Sequence, residues 1–233
     1  MASLRTYPKL YLIGDSNTQF AFSNGGFASQ LANDYVRCLD VVNRGFSGYT
    51  SEHLRTVTPQ LLDNDNTTNS PIHTATVLLG SNDAVLPNLD ARHVTPSRYK
   101  DNLETIVKCL RDSEVQNIVL ISPPPVDDQH WNQRCEELYG NPGSCCNNSV
   151  KLYADVCSQL AKELDLSYVD LYGEMMKHEG WRDFFGDGLH FNEKGHNIVY
   201  GKLKEVLDSL LTNLPLVYPD WKTIVSDGME VLS

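Results

Sequence analysis

The stretch Leu10-Tyr11-Leu12-Ile13-Gly14-Asp15-Ser16-Asn17 decides how the chain folds. Four consecutive apolar residues, without the alternation of a half-exposed strand, predict a strand buried on both faces that ends at Gly14. Working outward, Gly25-Gly26 open a helix over residues 27–37, on which Phe27, Leu31 and Tyr35 share one face, with Cys38 just beyond it next in the series. Residues 39–42 read as a second strand, 50–62 as a helix and 63–71 as a polar loop. Residues 75–79 form a β-branched third strand, and Pro96 suits the first turn of a helix that buries Leu103, Ile106, Val107 and Leu110. A fourth strand at 118–121 stops at Pro123-Pro124-Pro125. A loop with Trp131 and three of the six cysteines then leads to a helix at 150–164, a strand at 168–171 and a long helix at 192–211. Short apolar strands alternating with longer helices predict an α/β fold whose mainly parallel sheet is covered on both faces. Ligands of such sheets bind beyond the carboxyl ends of the strands, the rim on which Ser16, Gly45, Asn82 and the Pro123 loop all fall.

Composition narrows the class. The 233 residues carry 19 Lys plus Arg against 30 Asp plus Glu, a formal net charge of −11, with no basic run to grip a phosphate backbone, so no nucleic-acid partner is expected. The 41% hydrophobic and 21% charged content is that of a core-forming chain, and the absence of a linker predicts one domain over residues 1–233. No apolar run approaches the roughly 18 residues of a membrane span, and residues 1–10 lack a signal-peptide core. A cytoplasmic protein is therefore expected, with Cys38, Cys109, Cys135, Cys145, Cys146 and Cys157 as free thiols and the sequons at Asn66 and Asn147 unused.

Four short motifs carry the candidate chemistry. Gly14-Asp15-Ser16-Asn17 presents a hydroxyl and backbone N–H groups at the sheet edge, as a nucleophilic serine requires, although Ser there is also an ordinary helix cap. Asn43-Arg44-Gly45-Phe46-Ser47-Gly48 has glycines that permit close backbone approach, and by itself reads as a turn. In Gly80-Ser81-Asn82-Asp83 the Asn amide is a donor suited to an oxyanion, while Asn-Asp is equally turn chemistry. Asp187-Gly188-Leu189-His190 sets a carboxylate three residues before an imidazole, or else is a surface loop with a capping Asp. A carboxylate on one imidazole nitrogen fixes the tautomer and leaves the other to deprotonate a serine. Of the remaining histidines, His196 lies on an apolar helical stripe and reads as structural. For His53, His73, His93, His130 and His178 the sequence offers no convincing carboxylate partner, Glu52 and Glu179 next door pointing elsewhere on a helix, which leaves His190 as the candidate base.

Each motif is weak alone; their order is specific. In that order the chain resembles the SGNH, or GDSL-type, hydrolase superfamily, with Ser16, Gly45, Asn82 and His190 at its four marker positions. The runs 14–20, 43–49, 187–190 and 214–221 resemble the isoamyl acetate-hydrolysing esterase branch, with Asn17 where members often have Ser or Thr. The resemblance implies a flavodoxin-like three-layer α/β/α sandwich with a five-stranded sheet, serine esterase activity on small esters, and neither metal nor other cofactor. On this reading Ser16 is the nucleophile, His190 the base and Asp187 its orienting group, with an oxyanion hole from the N–H groups of Ser16 and Gly45 and the amide of Asn82. Asp15, Phe46, Tyr49, Pro124 and Trp131 are candidate substrate-pocket residues, and each aromatic is as easily core. Thioesters, lysophospholipids, acetylated sugars, acyl transfer to an alcohol and a non-catalytic binding role remain open, as does a homodimer. Gly-x-Ser-x-Gly, P-loop, dinucleotide and His-Glu-x-x-His motifs are absent from the sequence.

Overall fold

Five strands, Lys9–Gly14 (β1), Asp40–Gly45 (β2), Ile72–Leu78 (β3), Asn117–Ile121 (β4) and Ser167–Val169 (β5), form one all-parallel sheet in the order β2-β1-β3-β4-β5. The computed structural model describes residues 6–212 and 214–229. β1 pairs with β2 from Lys9↔Asp40 to Gly14↔Gly45 and with β3 up to Gly14↔Leu78, so the chain leaves β1 between two strands that run on either side of it. That is the switch point at which the connections diverge and open a crevice at the carboxyl edge.

The unbroken apolar strands follow from burial on both faces. Tyr11, Ile13, Ala75, Val77, Ile118 and Leu120 point into one core; Leu10, Leu12, Leu78, Val119, Ile121 and Val169 point into the other. The first core is closed by Ser51–Asp65 (α3), Pro96–Asp112 (α4) and Asn147–Glu163 (α6), and the second by Phe27–Asp34 (α2), Leu171–Met176 (α7) and Glu193–Leu210 (α8). Three further helices are Ser16–Gln19 (α1), Asp128–Tyr139 (α5) and Trp221–Asp227 (α9). No helix among the described residues is long and apolar enough to cross a membrane, and all six cysteines are free thiols.

Departures from the sequence expectations have local causes. The expected loop before α6 contains α5, whose first turn is capped by the Asp127 side chain accepting from the His130 N–H at 3.3 Å and which ends at Gly140, φ 72°. Within it only Cys135 is buried, so no apolar stripe advertises it. β5 stops at Val169 because Asp170 caps α7, accepting from the Gly173 N–H at 2.9 Å and turning Leu171 into a helical residue. α3 runs past Leu62 to Asp65, whose carboxylate accepts from Arg44 Nε at 2.7 Å and from the Tyr11 hydroxyl at 2.6 Å. α2 ends at Asp34, short of Arg37, which adopts a left-handed φ of 68°. Arg37 Nη2 there donates to the carbonyls of Tyr218 and Pro219 at 2.8 and 2.6 Å, fastening the apolar tail segment to its own fold.

Candidate active site

Ser16 is the first residue of α1, directly beyond β1, and the cap is Asp15, which accepts from the Asn17 N–H at 3.0 Å. With capping done by its neighbour, the Ser16 hydroxyl is free to face the crevice, and its N–H, at the first helical position, has no partner within the helix. Glycines allow this approach: a Cβ on Gly14 would stand 2.1 Å from Thr18 Oγ1, and one on Gly45 would stand 2.1 Å from the Gln19 nitrogen.

Ser16 Oγ lies 3.0 Å from His190 Nε2, and His190 Nδ1 lies 2.7 Å from Asp187 Oδ2. The other Asp187 oxygen accepts from the N–H groups of Leu189 and His190 at 2.9 and 2.7 Å, so the carboxylate and the imidazole are fixed by one tight loop. Burial pushes the Asp187 carboxyl upward, but its hydrogen bonds with His190 outweigh that and hold it at about 2. An ionised Asp187 keeps the imidazole proton on Nδ1 and leaves the Nε2 lone pair to the serine. Asn17, the departure from the usual Ser or Thr, straddles this loop: its Oδ1 accepts from the Phe191 N–H at 3.2 Å and its Nδ2 donates to the Leu189 carbonyl at 3.4 Å. Phe20 and Trp131 meet the imidazole edge-on, with ring centroids at 5.6 and 5.7 Å. His196 is elsewhere, buried against Phe27 and Phe191 with Nε2 3.4 Å from Ser23 Oγ, and burial lowers its pKa.

Ser16, Gly48, Asn82 and His190 line one cleft of about 470 Å³, walled further by Phe20, Leu89 and Trp131. Asn82 is fixed at both ends of its amide, Nδ2 donating to the Tyr49 carbonyl and Oδ1 accepting from Arg92 Nη1, both at 3.0 Å. One Nδ2 hydrogen remains available. The expected oxyanion contribution of Gly45 needs correction. Its N–H donates to Asn43 Oδ1 at 2.8 Å, so it has no hydrogen left to give, and its packing against α1 explains why glycine stands there. Three residues on, Gly48 reaches the cleft with φ +77°, and its N–H has no acceptor among the described residues.

Of the five residues expected to wall the pocket, Trp131 lines the cleft and the other four do not. Asp15 lies buried beneath Ser16, where burial pushes its carboxyl up to about 6. Phe46 packs against the first core and stacks on Tyr49 at 5.1 Å; Tyr49 enters the site through its carbonyl; Pro124 is buried. Phe20, Leu89 and Arg92 escape the sequence reading, since a one-turn 3-10 helix and short turns carry no periodic signal. Cys135 also lines the cleft, but burial pushes its thiol up, away from the thiolate a cysteine nucleophile requires. Among the described residues no group of three His, Cys, Asp or Glu is placed to hold a metal ion.

Residues 12–198 match the model of the GDSL-like Lipase/Acylhydrolase family. The chain belongs to that family. It is accordingly a carboxylic ester hydrolase of the GDSL/SGNH type. It is 31% identical over 228 residues to the isoamyl acetate-hydrolyzing esterase 1 homolog of Homo sapiens, covering 97% of this chain and 91% of that one. It is 29% identical over 243 residues to the isoamyl acetate-hydrolyzing esterase of Saccharomyces cerevisiae, covering 97% and 99%. The fold is also that of the lipase/acylhydrolase from Enterococcus faecalis, with a TM-score of 0.68 at 21% identity over 87% of this GDSL-family chain and 96% of that one.

Proposed function

We propose that this GDSL-family chain hydrolyses small neutral carboxylic esters, acetates and other short acyl esters, through an acyl-enzyme on Ser16. The observation that carries the reading is the unbroken chain from Ser16 Oγ through His190 to Asp187, at 3.0 and 2.7 Å, opening into the cleft. His190 Nε2 takes the hydroxyl proton as Ser16 Oγ attacks the carbonyl carbon, and Asp187 stabilises the imidazolium that forms. The oxyanion is received by the N–H groups of Ser16 and Gly48 and by the remaining Nδ2 hydrogen of Asn82. His190 then protonates the departing alcohol oxygen, the acyl group stays on Ser16, and a water deprotonated by His190 releases the acid.

Size and charge support the substrate class. A cleft of about 470 Å³ suits a small ester, and the one Lys or Arg among the described residues on its wall, Arg92, is paired with Asp90. The yeast relative's name, an isoamyl acetate-hydrolyzing esterase, points the same way. Acid-quenched turnover of p-nitrophenyl acetate followed by peptide mass spectrometry tests the pathway. The expected result is an acetyl group on the peptide containing Ser16. Sustained turnover with no acyl adduct would overturn the covalent route.

A further inference from the structure

We infer that Arg92 is a positioning residue for catalysis, holding the Asn82 amide in the one orientation that can donate to the oxyanion. This rests on the proposed role of Asn82. A primary amide has two orientations of similar shape and opposite polarity; flipped, Asn82 would aim a carbonyl oxygen at the developing negative charge. Two partners select between them. The Tyr49 carbonyl can only accept and takes a hydrogen from Nδ2 at 3.0 Å, while the Arg92 guanidinium can only donate and gives one to Oδ1 at 3.0 Å. A flip would set donor against donor at Arg92 and acceptor against acceptor at Tyr49, leaving two mismatched contacts at a residue only 6% exposed.

Arg92 is itself held rather than loose. Its Nε lies 3.0 and 3.1 Å from the two carboxylate oxygens of Asp90, its Nη2 lies 2.5 Å from Oδ2, and its main-chain N–H donates to Oδ1 at 2.9 Å. Asp90 in turn accepts from Ser144 Oγ at 2.8 Å, and the Ser144 carbonyl accepts from the Leu86 N–H, joining the loop after α5 to the segment after β3. The guanidinium also comes within 3.9 Å of where a Cβ on Gly48 would stand, so it sits beside two of the three proposed oxyanion donors. A cation on Oδ1 polarises the amide and strengthens the Nδ2 hydrogen as a donor. The Asp90 pairing, which the guanidinium stabilises by holding that carboxyl well below its ordinary range, offsets the positive charge at the cleft wall. Orientation of Asn82, rather than capture of an anionic substrate, is the role this arrangement serves.

A double-mutant cycle tests it: the wild type, Arg92→Ala, Asn82→Ala and the double variant, with Arg92→Lys alongside. kcat and KM are measured on p-nitrophenyl acetate and on the anionic p-nitrophenyl hemisuccinate, and folding by circular dichroism melts. Arg92→Ala is expected to lower kcat by about 10- to 100-fold, less than loss of the donor itself, with KM nearly unchanged. In the Asn82→Ala background the same change should cost less than about threefold, since residues acting through one another are not additive. Arg92→Lys, which keeps a cationic donor, should recover part of the loss and supplies the comparison if the alanine variant folds poorly. A full Arg92 effect on top of a normal Asn82→Ala defect would overturn the positioning role alone. So would a rise in KM confined to the hemisuccinate, which would make Arg92 a carboxylate-binding residue. Wild-type turnover in Asn82→Ala would overturn both readings and locate the fault in the donor assignment.

Discussion

The main-chain N–H of Asp127 donates to the Gly188 carbonyl at 2.8 Å, bonding the loop that carries Asp187 and His190 to the cap of α5. The same helix sends Trp131 against the His190 ring, so α5 braces the proposed base through both backbone and side chain. Gly188 is required for the contact: its φ is +92°, and a Cβ there would stand 2.6 Å from the Trp131 nitrogen and 2.7 Å from the Asp127 oxygen. Gly188→Ala is expected to displace the loop, costing about 1–3 kcal/mol of stability and lowering kcat more than KM. Thermal melts with steady-state kinetics check this, and unchanged values in both would show that α5 does not brace the loop.

Asp187→Asn separates orientation from folding. An asparagine oxygen can still accept from the Leu189 and His190 N–H groups, so the loop should persist, but the carboxamide cannot stabilise the imidazolium. A loss in kcat of about 10⁴-fold with a near-wild-type melting temperature is expected. A loss below tenfold would remove Asp187 from the mechanism.

Asn82→Ala should lower kcat by about 10²- to 10³-fold, the usual consequence of losing one oxyanion donor. KM for p-nitrophenyl acetate should change little, because the donor acts on charge that develops only in the transition state. A defect carried entirely by KM would place Asn82 in substrate binding instead.

Two buried carboxyls under the site make stability depend on pH. Burial pushes Asp83 up to about 7 and Asp15 up to about 6, although Asp83 accepts hydrogen bonds from both the N–H and the hydroxyl of Ser51. A carboxyl with a raised folded pKa binds its proton more tightly in the folded state, so its contribution is present below about pH 4 and is lost as pH rises toward 7. Asp187 has the opposite sign, but its window lies between its ordinary value and about 2, below this range. The melting temperature of Asp83→Asn should therefore fall less between pH 5 and pH 8 than that of the wild type. Parallel curves for the two proteins would show that Asp83 does not titrate in that interval.

The fold was legible because burial on both faces of the sheet leaves unbroken apolar runs; residues 10–13, 75–78 and 118–121 are strand in sequence and in space alike. α5 escaped because it buries little, and α7 because a single carboxylate, Asp170, converts the end of a strand into a helix. In the site, Asp187 and His190 were readable from their place as the last of four ordered motifs, since their spacing alone fits a surface loop equally. Gly45 and Gly48 were not separable by type, because the difference lies in which N–H is already bonded, and that depends on the Asn43 side chain. Arg92 left no trace, since its bond to Asn82 crosses an irregular loop of no fixed period.

Ser16 as the nucleophile is tested by kcat/KM for p-nitrophenyl acetate in Ser16→Ala beside the wild type, with folding verified by circular dichroism. A fall of at least about 10³-fold in a folded protein is predicted, since Ser16 is the cleft hydroxyl paired with His190 and, through it, with Asp187. A folded Ser16→Ala variant that kept most of the wild-type rate would show that Ser16 is not the nucleophile.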